Sequence, residues 1–432
     1  MINMHKPLSK TLSTLLLMSL LGFGVLSTIT GCETNPVTGK QQLSLVSSAQ
    51  ELSVGQQQYK PSQQSQGGAY TIDPSLNRYV DNIGQTLAKL SGQPNLPYEF
   101  IVLNNDVPNA WALPGGKIAI NRGLLILLED EAQLAAVLGH EVVHAAARHG
   151  ASQMSQGMLL QLGTQVLDQA SGNSAYSQIA GIGASAIQAR YGRSQELEAD
   201  HYGINYMVEA GYNPHAAVEL QQTFLRLSRD SSQGNWLNNL FASHPPSAER
   251  VQKNKARAAL LPKGKRNTEA YQKATKQIRI DSSAYETHEK AITEAKKKSW
   301  ANALTLTQKA IKLQPKEARF HITKGRLLNE MEKNKAAVKA FDKAIQLEPE
   351  YFAGFFYRGL TQQQLNNTKA AEKDLLKSNT LLETGAANYY LGEIALSNNK
   401  RDSAINYYKR AARSGGKIGA AAREKLQTLG VK

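Results

Sequence analysis

The sequence predicts a mainly α chain with one small β-sheet. A mixed body of helices and short strands covers residues 71–260, and an all-α repeat array covers 283–432. Three observations lead there. In the C-terminal third, similar residues recur at a spacing of 34: Pro315 and Pro349, Gly325 and Gly359, Ala310 and Ala344, Ala303 and Ala337. A long helical pattern runs from Glu129 to His149, with acids at its start and Arg148-His149 at its end, as the helix dipole favours. Two short apolar runs, Tyr98 to Leu103 and Lys117 to Asn121, read as strands, the second following a Pro114-Gly115-Gly116 turn.

Composition narrows the function classes. A chain of 432 residues implies two or three domains, and 41% hydrophobic residues suffice for ordinary cores. Lys and Arg total 50 against 35 Asp and Glu, a net charge of +15. No helix-turn-helix or aromatic-spaced basic stripe accompanies that charge, so nucleic acid is not expected as a partner. A single cysteine excludes an intramolecular disulfide, a Cys-based zinc site and a Cys-x-x-Cys redox pair. Any metal must be held by His and carboxylates.

That cysteine is explained by the first residues. Lys6 and Lys10 precede an apolar stretch from Leu15 to Leu26, too short and too interrupted by Gly and Ser to span a membrane. It ends at Ile29-Thr30-Gly31-Cys32, which resembles a bacterial lipoprotein processing box. Residues 1–31 are therefore read as a lipoprotein signal peptide and Cys32 as the acylated first residue. Cleavage removes two lysines and no acids, leaving +13. Two or three acyl chains anchor far more firmly than one. Glu33, in place of Asp, leans toward the periplasmic face of the outer membrane rather than the inner membrane.

Residues 32–70 are rich in Gln, Ser and Gly and read as a tether with one short helix around Ala49 to Tyr59. Helical periodicity then covers Pro74 to Leu90. Beyond the long helix, further helices are expected at 151–170, 176–190, 194–210, 214–229 and 246–260. Residues 251–280 carry nine basic residues against Glu269 alone. They read as a solvated basic connector, with 261–282 as the link between domains. The 34-residue period, with small residues at helix crossings and a terminal Pro, resembles the tetratricopeptide repeat. About four units fit from 283 to 416, followed by a capping helix near 417–429. Such a solenoid presents a concave face to peptide segments.

The strongest chemical signal is His140-Glu141-Val142-Val143-His144. On a helix, His140 and His144 lie about 40° apart around the axis and ~6 Å along it. Both imidazoles can point at one ion, with Zn–N distances of ~2.0–2.1 Å. Glu141 need not be a ligand. It can take a proton from metal-activated water and return it to a leaving amine. A catalytic zinc needs a third protein ligand. An unbroken helix carries His149 to the far side, about 180° from His140, so His149 reads as a helix C-terminal residue. The segment Glu196-Leu197-Glu198-Ala199-Asp200 supplies carboxylates. Glu196 and Asp200 share a face, so one could bind the metal while the other hydrogen-bonds a ligand imidazole.

HEVVH, SQELEAD and SHPPSAER together resemble the zinc metallopeptidase family of HtpX and the CAAX prenyl protease. The chain looks most like its soluble periplasmic branch, which includes a protease that also carries tetratricopeptide repeats. NPVTGKQQLSLVSSAQE and NAWALPGGKIAINRGLL look like that branch too. The resemblance implies a zincin-type fold with one Zn2+ held by His140, His144 and Glu196. Glu141 would be the catalytic glutamate, and Asp200 a group behind the ligands or a proton donor. It also implies that Asn109 and the strand Lys117, Ile118, Ala119, Ile120 line the cleft, where an edge strand would hold substrate backbone by β-addition. Trp111 stands where Phe or Tyr is commoner in the family.

Ser243-His244-Pro245-Pro246 fixes His244 just before the helix that Arg250 begins. His244 is expected either to stabilise the oxyanion or to occupy the fourth metal position and keep the enzyme latent, the latent cap being the preferred hypothesis. The function expected is a zinc endopeptidase of the bacterial envelope. Its repeats would recruit unfolded or misfolded envelope proteins, or dock on the outer-membrane protein assembly machinery. The alternative is a chaperone or adaptor whose metal site is latent.

Overall fold

The computed structural model describes residues 32–159, 191–229 and 244–431. The signal peptide and the helix expected at 176–190 lie outside the described residues, as does part of that expected at 151–170.

A three-stranded sheet organises the first body, in the order Glu99–Leu103, Lys117–Asn121, Ala110–Leu113. The first pair is parallel, with Glu99 opposite Lys117. The second is antiparallel, with Leu113 opposite Lys117. Gly115 (φ 76°) and Gly116 (φ 79°) make the tight reversal between them, in the left-handed region that only glycine enters freely. One sheet face packs on the helix Pro74–Ala88, capped by Asp73. A further helix of this core, Glu131–Ala146, starts at Asp130, whose side chain accepts from Gln133 N. Leu76, Val80, Leu87, Val102, Ile118, Leu134 and Leu138 fill the space between them and are fully buried, each contributing roughly 1.5–3 kcal/mol.

The reading of 32–70 as a tether is corrected. Cys32–Thr34 pairs antiparallel with Gln41–Leu43, and an 18-residue helix follows over Ser48–Ser65. Its Tyr59 packs with Trp111, Leu103 and Leu113 on the second face of the sheet. A polar composition suggested solvation, but Tyr59, the close approach at Gly55 and the partners of Glu51 and Gln64 seat the helix. The basic connector is corrected too. Short helices Thr268–Ala274 and Lys276–Ile280 bury Tyr271 and Ile278 in the main core. Arg266 pairs with Asp130 and Glu219, and Arg279 donates to Ile126 O and Leu128 O, so these charges are structural.

Nine helices form the array, from Ser282–Lys296 to Gly416–Thr428. The period has a packing cause. A Cβ on Gly325, Gly359 or Gly392 would collide with Phe341, Leu375 or Tyr408, each sixteen residues on. The same left-handed turn recurs at Lys298, Glu332, Asn366 and Asn399. Two polar seams join array and body. Gln64 Nε2 donates to Glu350 O at 2.7 Å, while Phe352 N donates to Gln64 Oε1 at 2.9 Å. Asn104 and Tyr285 both donate to the buried Glu317, at 2.8 and 2.6 Å.

Candidate metal centre

The helix Glu131–Ala146 crosses the helix Arg193–Glu209 at glycines. A Cβ on Gly139 would lie 3.0 Å from Gly203 O, and one on Gly203 3.0 Å from His140 N. This close approach brings His140, Glu141 and His144 against Glu196 and Asp200. The loop before the Ser247-capped helix Ala248–Ala258 adds His244, and that helix adds Arg250.

His140 Nε2 lies 3.0 Å from His144 Nε2 and 3.3 Å from His244 Nδ1. Glu196 Oε1 lies 3.0 Å from His244 Nδ1 and 3.3 Å from His144 Nε2. Donors held ~2.0–2.1 Å from a tetrahedral ion stand about 3.3 Å from one another. The four donor atoms all fall within 4.8 Å of each other, and all four residues are buried. Three imidazole nitrogens and a carboxylate oxygen, converging on one point with that spacing, fit a divalent transition metal such as zinc. Glu141 Oε2 and His244 Nε2 are also buried without a hydrogen-bond partner among the described residues.

Behind the donors, His140 Nδ1 lies 3.1 Å from Asp200 Oδ1. Arg250 clamps Asp200 with two bonds of 2.7 Å and reaches Glu196 Oε2 at 2.6 Å. His144 Nδ1 lies 2.9 Å from His149 Nδ1, and His149 Nε2 lies 3.1 Å from Glu198 Oε1. Tyr191 stacks on His144 at 3.7 Å between ring centroids.

The charges are arranged accordingly. Burial raises the carboxyl of Asp200, but the Arg250 guanidinium and His140 hold it well below the usual range. Burial likewise opposes the charge on Glu196, and His244 and His140 outweigh it, keeping it ionised. Burial pushes His144 down, toward the neutral form a ligand needs. Burial pushes Glu141 up, toward the basicity a proton carrier needs.

The structure thus brings His140, Glu141, His144, Glu196, Asp200, His244 and Arg250 together. Asp200 does not suit a proton donor, because both its oxygens are engaged by Arg250 and His140. The cleft-lining expectation for Lys117, Ile118, Ala119 and Ile120 is corrected. Their strand is central, paired on both sides. Lys117 turns to Glu99 and Pro97 O. Ile118 and Ile120 face the main core, and Ala119 packs with Tyr59 and Trp111. The edge strand is Ala110–Leu113. Asn121 N bonds Asn109 O, so alternation along the antiparallel pair turns the N–H and C=O groups of Ala110 and Ala112 away from the central strand. Asn109 opens this strand, its Oδ1 buried without a partner among the described residues. Ala110, Val137, Leu220 and Phe224 line an apolar cavity of about 570 Å³, open space at its mouth included, that reaches His140 and Glu141.

His149 and Glu198 were missed as supports. The helix breaks after Ala146, and Arg148 adopts φ 58°, so His149 returns beneath His144 instead of continuing to the far side. No motif signalled that break.

Comparison with known proteins agrees with this arrangement. Residues 74–258 match the model of peptidase family M48, and residues 318–351 match a tetratricopeptide repeat. The chain is 27% identical over 381 residues to the beta-barrel assembly-enhancing protease of Escherichia coli, covering 83% of this chain and 73% of that one. It is 30% identical over 199 residues to a putative beta-barrel assembly-enhancing protease of Vibrio cholerae, covering 44% of this chain and 40% of that one. It is 30% identical over 227 residues to the mitochondrial metalloendopeptidase OMA1 of Schizosaccharomyces pombe, spanning 50% of this chain and 64% of the relative.

Proposed function

Since the chain carries a peptidase family M48 domain followed by tetratricopeptide repeats, we propose that it is a zinc-dependent endopeptidase of the bacterial envelope that removes misfolded or stalled outer-membrane proteins. One observation carries the chemistry: His140, His144 and Glu196 converge from two helices with the buried Glu141 beside them. His140, His144 and Glu196 would hold the ion. When bound, it would polarise the scissile carbonyl and lower the pKa of water. Glu141 takes the proton of the attacking water and passes it to the amine nitrogen as the C–N bond breaks. Asp200 and Arg250 fix the tautomer and direction of His140. The main-chain groups that Ala110 and Ala112 turn away from the central strand, with Ala112 O held by the Tyr191 hydroxyl at 3.4 Å, would pair with substrate backbone, which selects extended polypeptide over any one sequence.

His244 is read as a cap. Its Nδ1 stands among the donors and its ring lies between them and Glu141, with Nε2 3.6 Å from Glu141 Oε1. Turnover requires it to swing aside. Its removal by His244→Ala should raise proteolysis; a fall would assign it to the oxyanion instead. Cys32, exposed at the start of the folded body, suits the lipid anchor, and no helix among the described residues is long and apolar enough to cross a membrane. Anchorage on the periplasmic face of the outer membrane, with clients or assembly machinery gathered by the repeats, completes the proposal. The test is casein cleavage by the mature chain, paired with metal analysis. Glu141→Gln should abolish cleavage and keep the metal; full-rate cleavage would remove the mechanism.

A further inference from the structure

His144 is linked through a line of side chains to the N-terminal segment. Its Nε2 faces the other donors, so the proton of the neutral ring sits on Nδ1 and is donated to His149 Nδ1 at 2.9 Å. The proton of His149 is thereby placed on Nε2, which donates to Glu198 Oε1 at 3.1 Å. Asn35 Nδ2 donates to that same oxygen at 2.9 Å. Each link pairs one donor with one acceptor, and the donors from His149 and Asn35 converge on the one carboxylate oxygen of Glu198.

The same segment also holds the turn that makes this line possible. Gln42 Nε2 donates to Ala147 O at 3.0 Å. Arg148 pairs with Glu33 and with Glu51, and its Nη2 donates to Val46 O at 2.9 Å. A left-handed residue other than glycine costs about 1–2 kcal/mol, and these contacts offset it at Arg148. Without the turn, His149 would point away from His144.

We propose that the N-terminal segment Cys32–Ser47 is a functional part of the metal centre, in which Asn35, Glu198 and His149 are positioning residues that orient His144 and set the affinity for the ion. The proposal rests on the metal reading above. It couples the part of the chain nearest the membrane anchor to the occupancy of the active site. Displacement of the segment would weaken metal binding with every ligand still present.

The test uses the full mature chain and measures zinc affinity by competition with a chromophoric chelator, alongside the visible spectrum of the cobalt-loaded protein. Glu198→Gln and His149→Ala should weaken zinc binding about 10–100-fold, the usual effect of losing a group behind a ligand. His149→Gln, which keeps one acceptor and one donor, should lose less than His149→Ala. Asn35→Asp is the diagnostic change. It preserves the Oδ1 acceptor that Val37 N and Thr38 N use to form the local turn. It removes the donor and sets a like charge against Glu198. Zinc affinity should fall severalfold and the cobalt spectrum should shift, with the melting temperature of the metal-free protein unchanged. Affinities within twofold of the parent for Glu198→Gln and Asn35→Asp would overturn the proposal. So would losses matched by equal destabilisation of the metal-free protein. A parent that binds no zinc would instead overturn the metal reading itself.

Discussion

Gly139 and Gly203 face each other where the two site helices cross, so close that a methyl group on either meets the other helix's backbone. This contact sets the separation between the histidine pair and Glu196. Replacing Gly203 with Val should force the helices apart. Overpacking of this kind costs about 1–3 kcal/mol. Metal titration should show at least a tenfold loss of affinity, and the melting temperature should drop by several degrees.

Arg250 is buried and balances two buried carboxylates, Asp200 and Glu196. Its replacement by Ala strips Asp200 of its two-bond clamp and Glu196 of one of its partners, a change that costs roughly 3–5 kcal/mol. Urea denaturation of the mature chain should show that loss. Lysine should not restore stability, because a point charge cannot reproduce the two parallel bonds to Asp200.

Glu348 sits in the array against Gly68 of the body. Burial, aided by Glu317, pushes its carboxyl up to about 8 from 4.5. Between those values the folded protein keeps a proton that the unfolded chain releases, so this group lowers stability as pH rises through the window. Glu348→Gln should remove that penalty. Thermal melts should show little difference between variant and parent near pH 5. At pH 8 the variant should be more stable by about 1–4 kcal/mol.

The clasp of Gln64 on Glu350 O and Phe352 N is open to hydrogen exchange. Gln64→Ala should expose both main-chain groups, costing about 1–3 kcal/mol at the seam. The Phe352 amide should exchange faster, while amides in the core strand Lys117–Asn121 should keep their protection.

Much of this was legible from residue spacing. A four-residue interval on a strongly helical segment places His140 and His144 together under any packing. The repeat was visible because each Gly–aromatic or Gly–Leu contact recurs with its unit. The role of Glu196 came from resemblance to a family, since spacing alone left it level with its acidic neighbours. His149 was misplaced for a definite reason. Rotating residues along an ideal helix assumes that the helix continues, and the bend at Arg148 depends on Glu33, Glu51 and Val46, about a hundred residues earlier. The edge position expected for Lys117–Asn121 failed similarly, because the strands on either side of it depend on long-range pairing that a local run of apolar residues does not encode.

The grip of one glutamine on the Glu350 carbonyl and the Phe352 amide of the array also bears on engineering. Grafting a foreign solenoid onto this body would leave that module's orientation undetermined unless it carried a matching carbonyl and amide two positions apart for Gln64, together with an acid for Asn104 to hold. Chimaeras that include those few atoms should hold the new array at the same angle to the metal centre, and those that omit them should swing loose.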